Sequence, residues 1–115
     1  MSATRNKSNF ELLSFHADLS DIDQVKKFAD EILDIFNESN PLDVFINNAG
    51  IVDKYGPNRA KDKRFELTFM VNVVAPFILL SKLMSALDAL IPKRILVTSS
   101  GVHKQFKKKL DYGDL

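Results

Sequence analysis

Cysteine is absent from the 115 residues, which removes disulfide frameworks, cysteine-ligated zinc, iron–sulfur clusters and thiol nucleophiles. Histidine is scarce, with only His16 and His103, so no histidine-rich metal site is expected. Glycine occurs four times, at positions 50, 56, 101 and 113, too sparsely to form a Gly-rich phosphate-binding turn. The opening Met1-Ser-Ala-Thr-Arg-Asn-Lys7 has no apolar core and does not read as a secretory signal. The most apolar stretch, 67–80, is too short to span a bilayer and is interrupted by Thr68, Asn72 and Pro76. These absences set the expectation of an intracellular, cytoplasmic chain without a resident metal.

What is present describes a folded domain. With 45% hydrophobic and 27% charged residues the composition is neither that of a disordered chain nor that of a membrane protein. The length suits one domain. Charge is uneven along it. Residues 1–50 hold four basic and nine acidic side chains, whereas residues 51–115 hold twelve and six. A basic second half points to a phosphate-bearing partner, either a nucleotide cofactor or a nucleic acid, and charge alone does not choose between them.

Residues 1–9 read as a polar tail, and 10–115 as one partial domain. The run Phe10-Glu-Leu-Leu-Ser-Phe-His-Ala17 reads as a short buried strand ending at Asp18. Ser20 followed by Asp23 resembles a capping box, and apolar residues from Ile22 to Phe36 recur at helical spacing through about Asn37. The polar stretch 37–41 stops that helix. Leu42–Ile46 is a second strand, running into the turn-prone Asn47-Asn-Ala-Gly50, and residues 52–63 form a polar loop. A long helix is expected from about Arg64 to Ala89. Arg94–Thr98 is a third strand, with Ser99, Ser100 and Gly101 beyond its end, and 103–115 carries no periodicity.

Strand–helix–strand–helix–strand predicts an α/β chain with a parallel sheet and right-handed crossovers, a partial Rossmann-like doubly wound fold. In such sheets the ligand crevice lies beyond the carboxyl ends of the strands. Those ends carry Asp18, Asn47–Gly50 and Ser99–Ser100.

Four features in order resemble the short-chain dehydrogenase/reductase family. They are Asp18-Leu19 after a strand, Asn47-Asn48-Ala49-Gly50 after the next, Asn72 in the following helix, and Ser99-Ser100 after the third strand. The stretches Phe65–Asn72, Pro76–Leu80 and Arg94–His103 further resemble its retinol-dehydrogenase-like branch. The resemblance implies reversible hydride transfer between NAD or NADP and an alcohol or carbonyl, a lipophilic small molecule in that branch. It implies cofactor binding by Asp18, Leu19 and Asn47, Asn48, Ala49, Gly50. Asp18 accepts from the adenine amino group, while the Asn-Asn-Ala-Gly turn braces the sheet and walls the cleft. It implies catalytic roles for Ser100, which hydrogen-bonds the substrate oxygen, and for Asn72, which distorts its helix and holds a water in the proton relay. The 64–90 helix offers a surface for homo-oligomerisation of the complete protein, and no nucleic-acid partner is implied.

The sequence also departs from the family. The Gly-rich turn for the pyrophosphate is missing, and the tyrosine–lysine pair expected after the serine is not found. Tyr112 lies twelve residues after Ser100, but its lysine would fall at position 116 of a 115-residue sequence. In the retinol-dehydrogenase-like branch, moreover, a segment like Leu110–Leu115 precedes the catalytic tyrosine. The three strands correspond to the family's third, fourth and fifth, of which the third sits two places from the fourth. Residues 10–17 are therefore expected to lack a neighbour, leaving exposed strand edges. The chain alone is expected to be inactive and unable to hold the family fold around a cofactor. The alternative is a non-catalytic remnant acting through protein–protein contact.

Overall fold

The computed structural model describes residues 11–37, 39–53, 58–61, 63–84, 86–87 and 94–101. Along these run helix α1 (Ile22–Ile35), strand β1 (Val44–Asn47), a short helix α2 (Leu67–Phe69), a π-helical turn (Met70–Val74), helix α3 (Ala75–Leu83) and strand β2 (Arg94–Val97). The α/β class holds. The sheet has two strands, β1 and β2, paired in parallel with Val44 opposite Arg94 and Asn47 opposite Val97.

The expected strand at 10–17 is the main correction. Phe10 lies outside the described residues, and residues 11–17 form no ladder. A strand exists only where a neighbour takes its N–H and C=O groups. Between this segment and β1 lies an open groove of about 370 Å3. Leu12, Leu13 and Phe15 line one side, Val44 and Ile46 the other, with Ile32, Phe36 and the buried Leu83 at its floor.

Helix α1 starts one residue later than the sequence pattern suggested. Asp21, not Ser20, is its N-cap, accepting from the Asp23 and Gln24 N–H groups at 3.1 and 3.3 Å. The Gln24 amide donates back to the Asp21 carboxylate at 3.1 Å and accepts from the Asp18 N–H at 3.1 Å. The Ser20 hydroxyl points the other way, donating to Asp18 at 2.7 Å. The helix ends at Ile35, two residues short of the expected Asn37, where the Asn40 amide donates to the Ile35 carbonyl at 2.9 Å.

The second helical region runs from 67 to 83 rather than from 64. Glu66 sets its start, its carboxylate accepting from the Thr68 and Phe69 N–H groups at 2.9 and 2.8 Å. Burial pulls the Glu66 carboxyl upward in pKa, but these two N–H bonds outweigh it and hold it below its ordinary value. In the middle, the Ala75 N–H donates to the Met70 carbonyl, five residues back, so one turn is wide. Asn72 sits at the centre of that turn. Pro76 immediately follows, and its missing N–H leaves the Asn72 carbonyl without the usual partner four residues on.

The core lies between α1 and the second helical region. Ile22, Val25 and Ala29 pack with Met70, Ala75, Leu79 and Ala60, flanked by Leu19, Phe28 and Phe65, and Phe45 reaches in from β1. An ion pair from Lys82 to Asp30 ties α3 to α1 at the surface. The Leu42 N–H donates to the Ala86 carbonyl at 3.0 Å, anchoring the chain entering β1 to the end of the helix.

Candidate functional site

Parallel pairing sends β1 and β2 out of the sheet in the same direction, so residues 47–50 and 98–100 leave it side by side. The Thr98 N–H donates to the Asn47 carbonyl at 2.9 Å, extending the ladder by one bond beyond the strands. One step further, the Thr98 hydroxyl donates to Asn48 Oδ1 at 2.8 Å. The two strand ends are thereby held together just where the chains begin to diverge.

Asn72 closes the site from the helix. Its Oδ1 accepts from the Ile51 N–H at 2.9 Å, and its Nδ2 donates to the Ile51 carbonyl at 2.8 Å. The side-chain amide thus imitates a strand neighbour and fixes the segment that follows Gly50. The wide turn puts it there: by displacing one turn of the helix, it brings Asn72 level with residue 51. Gly50 lies directly beneath, where a Cβ would stand 3.5 Å from Asn72 Oδ1, an ordinary contact.

Between these elements opens a cleft of about 410 Å3 lined by Asn47 to Val52, Asn72 and Val97 to Ser100. Six of the eight predicted site residues line it: Asn47, Asn48, Ala49, Gly50, Asn72 and Ser100. Among the described residues its polar side chains are amides and hydroxyls.

Asp18 and Leu19 are not part of that lining. Leu19 packs against the helical core. Asp18 sits at the approach to α1, where Oδ1 accepts from the Ser20 N–H at 2.9 Å and the Ser20 hydroxyl at 2.7 Å, and Oδ2 faces Lys61 Nζ at 3.0 Å. The Ser20 hydroxyl, then the Ser20 N–H, then Lys61 hold the Asp18 carboxyl down at about 2. The same contact with Asp18 raises Lys61. A carboxylate has about four lone-pair positions, so one acceptor direction on Oδ2 remains.

Sequence reasoning missed two contributors, Thr98 and Lys61. Thr98 ends a predicted strand but becomes visible only once β1 and β2 are in register. Lys61 is one of several basic residues in a polar loop with nothing in its spacing to single it out. Tyr112 and His103 lie outside the described residues. Among the described residues no three His, Cys, Asp or Glu side chains gather as metal ligands, and no helix is long and apolar enough to cross a membrane.

The sequence model of the family described as short chain dehydrogenase matches residues 1–112. The chain belongs to that family. This short-chain dehydrogenase chain is 36% identical over 105 residues to human (Homo sapiens) retinol dehydrogenase 14, covering 91% of this chain and 28% of the relative. To human retinol dehydrogenase 13 it is 32% identical over 107 residues, covering 93% and 30%. To dehydrogenase/reductase SDR family member 13 of Bos taurus it is 33% identical over 109 residues, covering 94% and 26%. The chain therefore spans less than a third of the length of these relatives, and the retinol-dehydrogenase-like resemblance holds for that portion.

Proposed function

We propose that this chain carries the nucleotide-cleft portion of an oxidoreductase that interconverts an alcohol and a carbonyl by hydride transfer with NAD or NADP. One observation supports this above the rest: two parallel strands and one distorted helix bring Asn48, Gly50, Asn72 and Ser100 to a single cleft. That is where an open parallel α/β sheet takes its ligand. The donor set suits the group. Neutral amides and hydroxyls can bond the ribose and carboxamide oxygens of a nicotinamide nucleotide, and Asp18 keeps one acceptor direction for an adenine amino group. When bound, the nucleotide supplies or accepts the hydride.

Each residue then has a distinct task. Asn47 to Gly50 form the wall against which the nucleotide lies, Gly50 letting it approach the backbone. Ser100 donates to the substrate oxygen, where negative charge grows as the carbonyl is reduced. Asn72 spends its side-chain amide on Ile51, so a relay water in this reading rests on its main-chain carbonyl, which Pro76 leaves short of a donor. A lipophilic alcohol or carbonyl is the substrate in this reading, by analogy with the names of the relatives. The exposed face of the helical region, with Phe69, Val73, Phe77 and Met84, supports self-association of the complete protein.

The chain by itself carries no steady turnover in this proposal, because no Gly-rich pyrophosphate turn and no tyrosine–lysine pair is found in its sequence. Titration of the purified 115-residue chain with NADH and NADPH, followed by nucleotide fluorescence and by amide NMR shifts, is the test. Because the Thr98–Asn47 and Thr98–Asn48 bonds hold the cleft together without the rest of the family sheet, saturable binding with shifts at Asn48, Gly50 and Ser100 is expected, in place of the sequence expectation that the chain alone cannot hold a cofactor. A folded chain that shows neither overturns the cleft assignment, and steady alcohol oxidation by it overturns the inactivity.

A further inference from the structure

Thr98 lies within the Arg94–His103 stretch that resembles the family but has no role assigned from the sequence, yet its hydroxyl makes a hydrogen bond between the ends of β1 and β2. Its N–H and its hydroxyl do different jobs. The N–H donates to the Asn47 carbonyl at 2.9 Å and continues the sheet, a bond any residue other than proline could make. The hydroxyl donates to Asn48 Oδ1 at 2.8 Å, which only threonine or serine could make from that position with so short a side chain.

The consequence falls on Asn48. A primary amide has one acceptor oxygen and two N–H donors, and which end meets a ligand is decided by what holds the other end. The Thr98 hydroxyl takes one of the two acceptor positions of Oδ1 and fixes that end of the amide, while both N–H donors of Asn48 are kept for the cleft it lines. Asn48 is exposed, so packing does not restrain its amide and this bond does. Resting on the nucleotide reading above, we infer that Thr98 is a positioning residue of the cleft, orienting the Asn48 amide as a double donor toward an acceptor oxygen of the nicotinamide nucleotide. The cleft is thereby biased toward ligands presenting hydroxyl, carbonyl or phosphate oxygen at that point, and against ligands presenting a donor.

The experiment compares the 115-residue chain with Thr98→Val, Thr98→Ser and Asn48→Ala, measuring NADH affinity by fluorescence titration and the Asn48 side-chain amide signals by NMR. Valine keeps the shape and removes only the hydroxyl; serine keeps the hydroxyl. Losing one neutral hydrogen bond predicts about fivefold weaker NADH binding for Thr98→Val, with Asn48 amide signals that no longer shift on adding NADH. Thr98→Ser should stay within about twofold of the parent chain, since it keeps the donor. Asn48→Ala should weaken binding at least as much as Thr98→Val, and the double variant no further, because both act through one amide. Equal affinity of the parent chain and Thr98→Val overturns the inference while leaving the nucleotide cleft standing. Should Thr98→Val fail to fold, parent-like affinity of Asn48→Ala, which leaves the β1–β2 pairing intact, overturns it equally. Absence of saturable binding by the folded parent chain overturns the nucleotide reading, and this inference with it.

Discussion

Met70 and Leu83, in the helical region, have lost all contact with water, whereas Ile46 in β1 and Val97 in β2 keep 60% and 65% of their exposure. Both regions are equally apolar in sequence, so the difference lies in what each one packs against. The helices bury one another through interleaved small and large residues, Ala29 and Ala75 letting Val25, Met70 and Leu79 approach. The strands are apolar on both faces, as strands of a parallel sheet are when both faces are covered. Here only Phe45 reaches the helical core, and every residue of β2 is exposed. The helical layer is thus held by burial, while the strand ends, where the cleft lies, are held by individual hydrogen bonds.

The sharpest break of that comparison is a pair of truncations. Met70→Ala should cost about 2–5 kcal/mol, the range for removing a fully buried large side chain, whereas Ile46→Ala should cost less than about 1 kcal/mol. Urea denaturation of the two variants measures both. Equal losses would show that the sheet is buried in solution and that its exposed face is covered by self-association. A related effect is solubility: Ile46→Lys in β1 and Leu12→Lys in the exposed apolar segment facing it should reduce aggregation, since charge there opposes edge-to-edge pairing. Light scattering at fixed concentration reads it out.

Next in size is Asn72→Ala. It leaves the Ile51 N–H and C=O to water, because both bonds are exposed, and a loss of about 1 kcal/mol is expected. Hydrogen exchange is the direct measure, with the Ile51 amide losing protection while amides within α1 keep theirs. Uniform loss of protection would mean that the polar contacts hold the helices as well as the strand ends.

The helical layer was legible in the sequence because a period of 3.6 residues leaves a strong signal in apolar spacing, and α1 departs from its expected bounds by one or two residues. The positions of β1 and β2 were legible for a similar reason, as short apolar runs beside turn residues. The pairing of residues 11–17 was not, because a strand is a relation between two segments and its apolar pattern cannot show whether a neighbour is there. Cleft residues were legible only through the family pattern. Asn72 looks like a misplaced polar residue in an apolar helix until the wide turn before Pro76 carries it to Ile51. Thr98 and Lys61 could not be found at all without a register and a loop path.

A smaller effect concerns Asp18, whose carboxyl is depressed to about 2 from an ordinary 3.8. A depressed acid stabilises the folded state fully above its unfolded value and loses that contribution as pH falls through its folded value. Stability from this group should therefore be constant at neutral pH and disappear between about pH 4 and pH 2. Because its side chain is 41% exposed, the contribution is screened and should stay below about 1 kcal/mol. Ser20→Ala should return the carboxyl further toward 3.8 than Lys61→Met does, since the Ser20 hydroxyl is the largest cause of the depression. Carboxyl NMR titration distinguishes the two, and the reverse ranking would make Lys61 the main tether of this corner.

The smallest effect on stability is expected at Gly50, and for that reason it separates the fold from the ligand. Among the described residues a Cβ there meets Asn72 Oδ1 alone, at 3.5 Å, which is ordinary van der Waals distance. Gly50→Ala should thus change unfolding free energy by no more than about 0.5 kcal/mol, and the Asn72–Ile51 bonds should survive. The added methyl enters the wall of the cleft, however, so NADH binding should weaken by far more than stability does. A variant that loses both in proportion would show that residue 50 is glycine for the sake of the chain's own packing. One that loses neither would place the nucleotide away from Gly50, leaving Ser100 at the β2 end of the cleft as its principal contact.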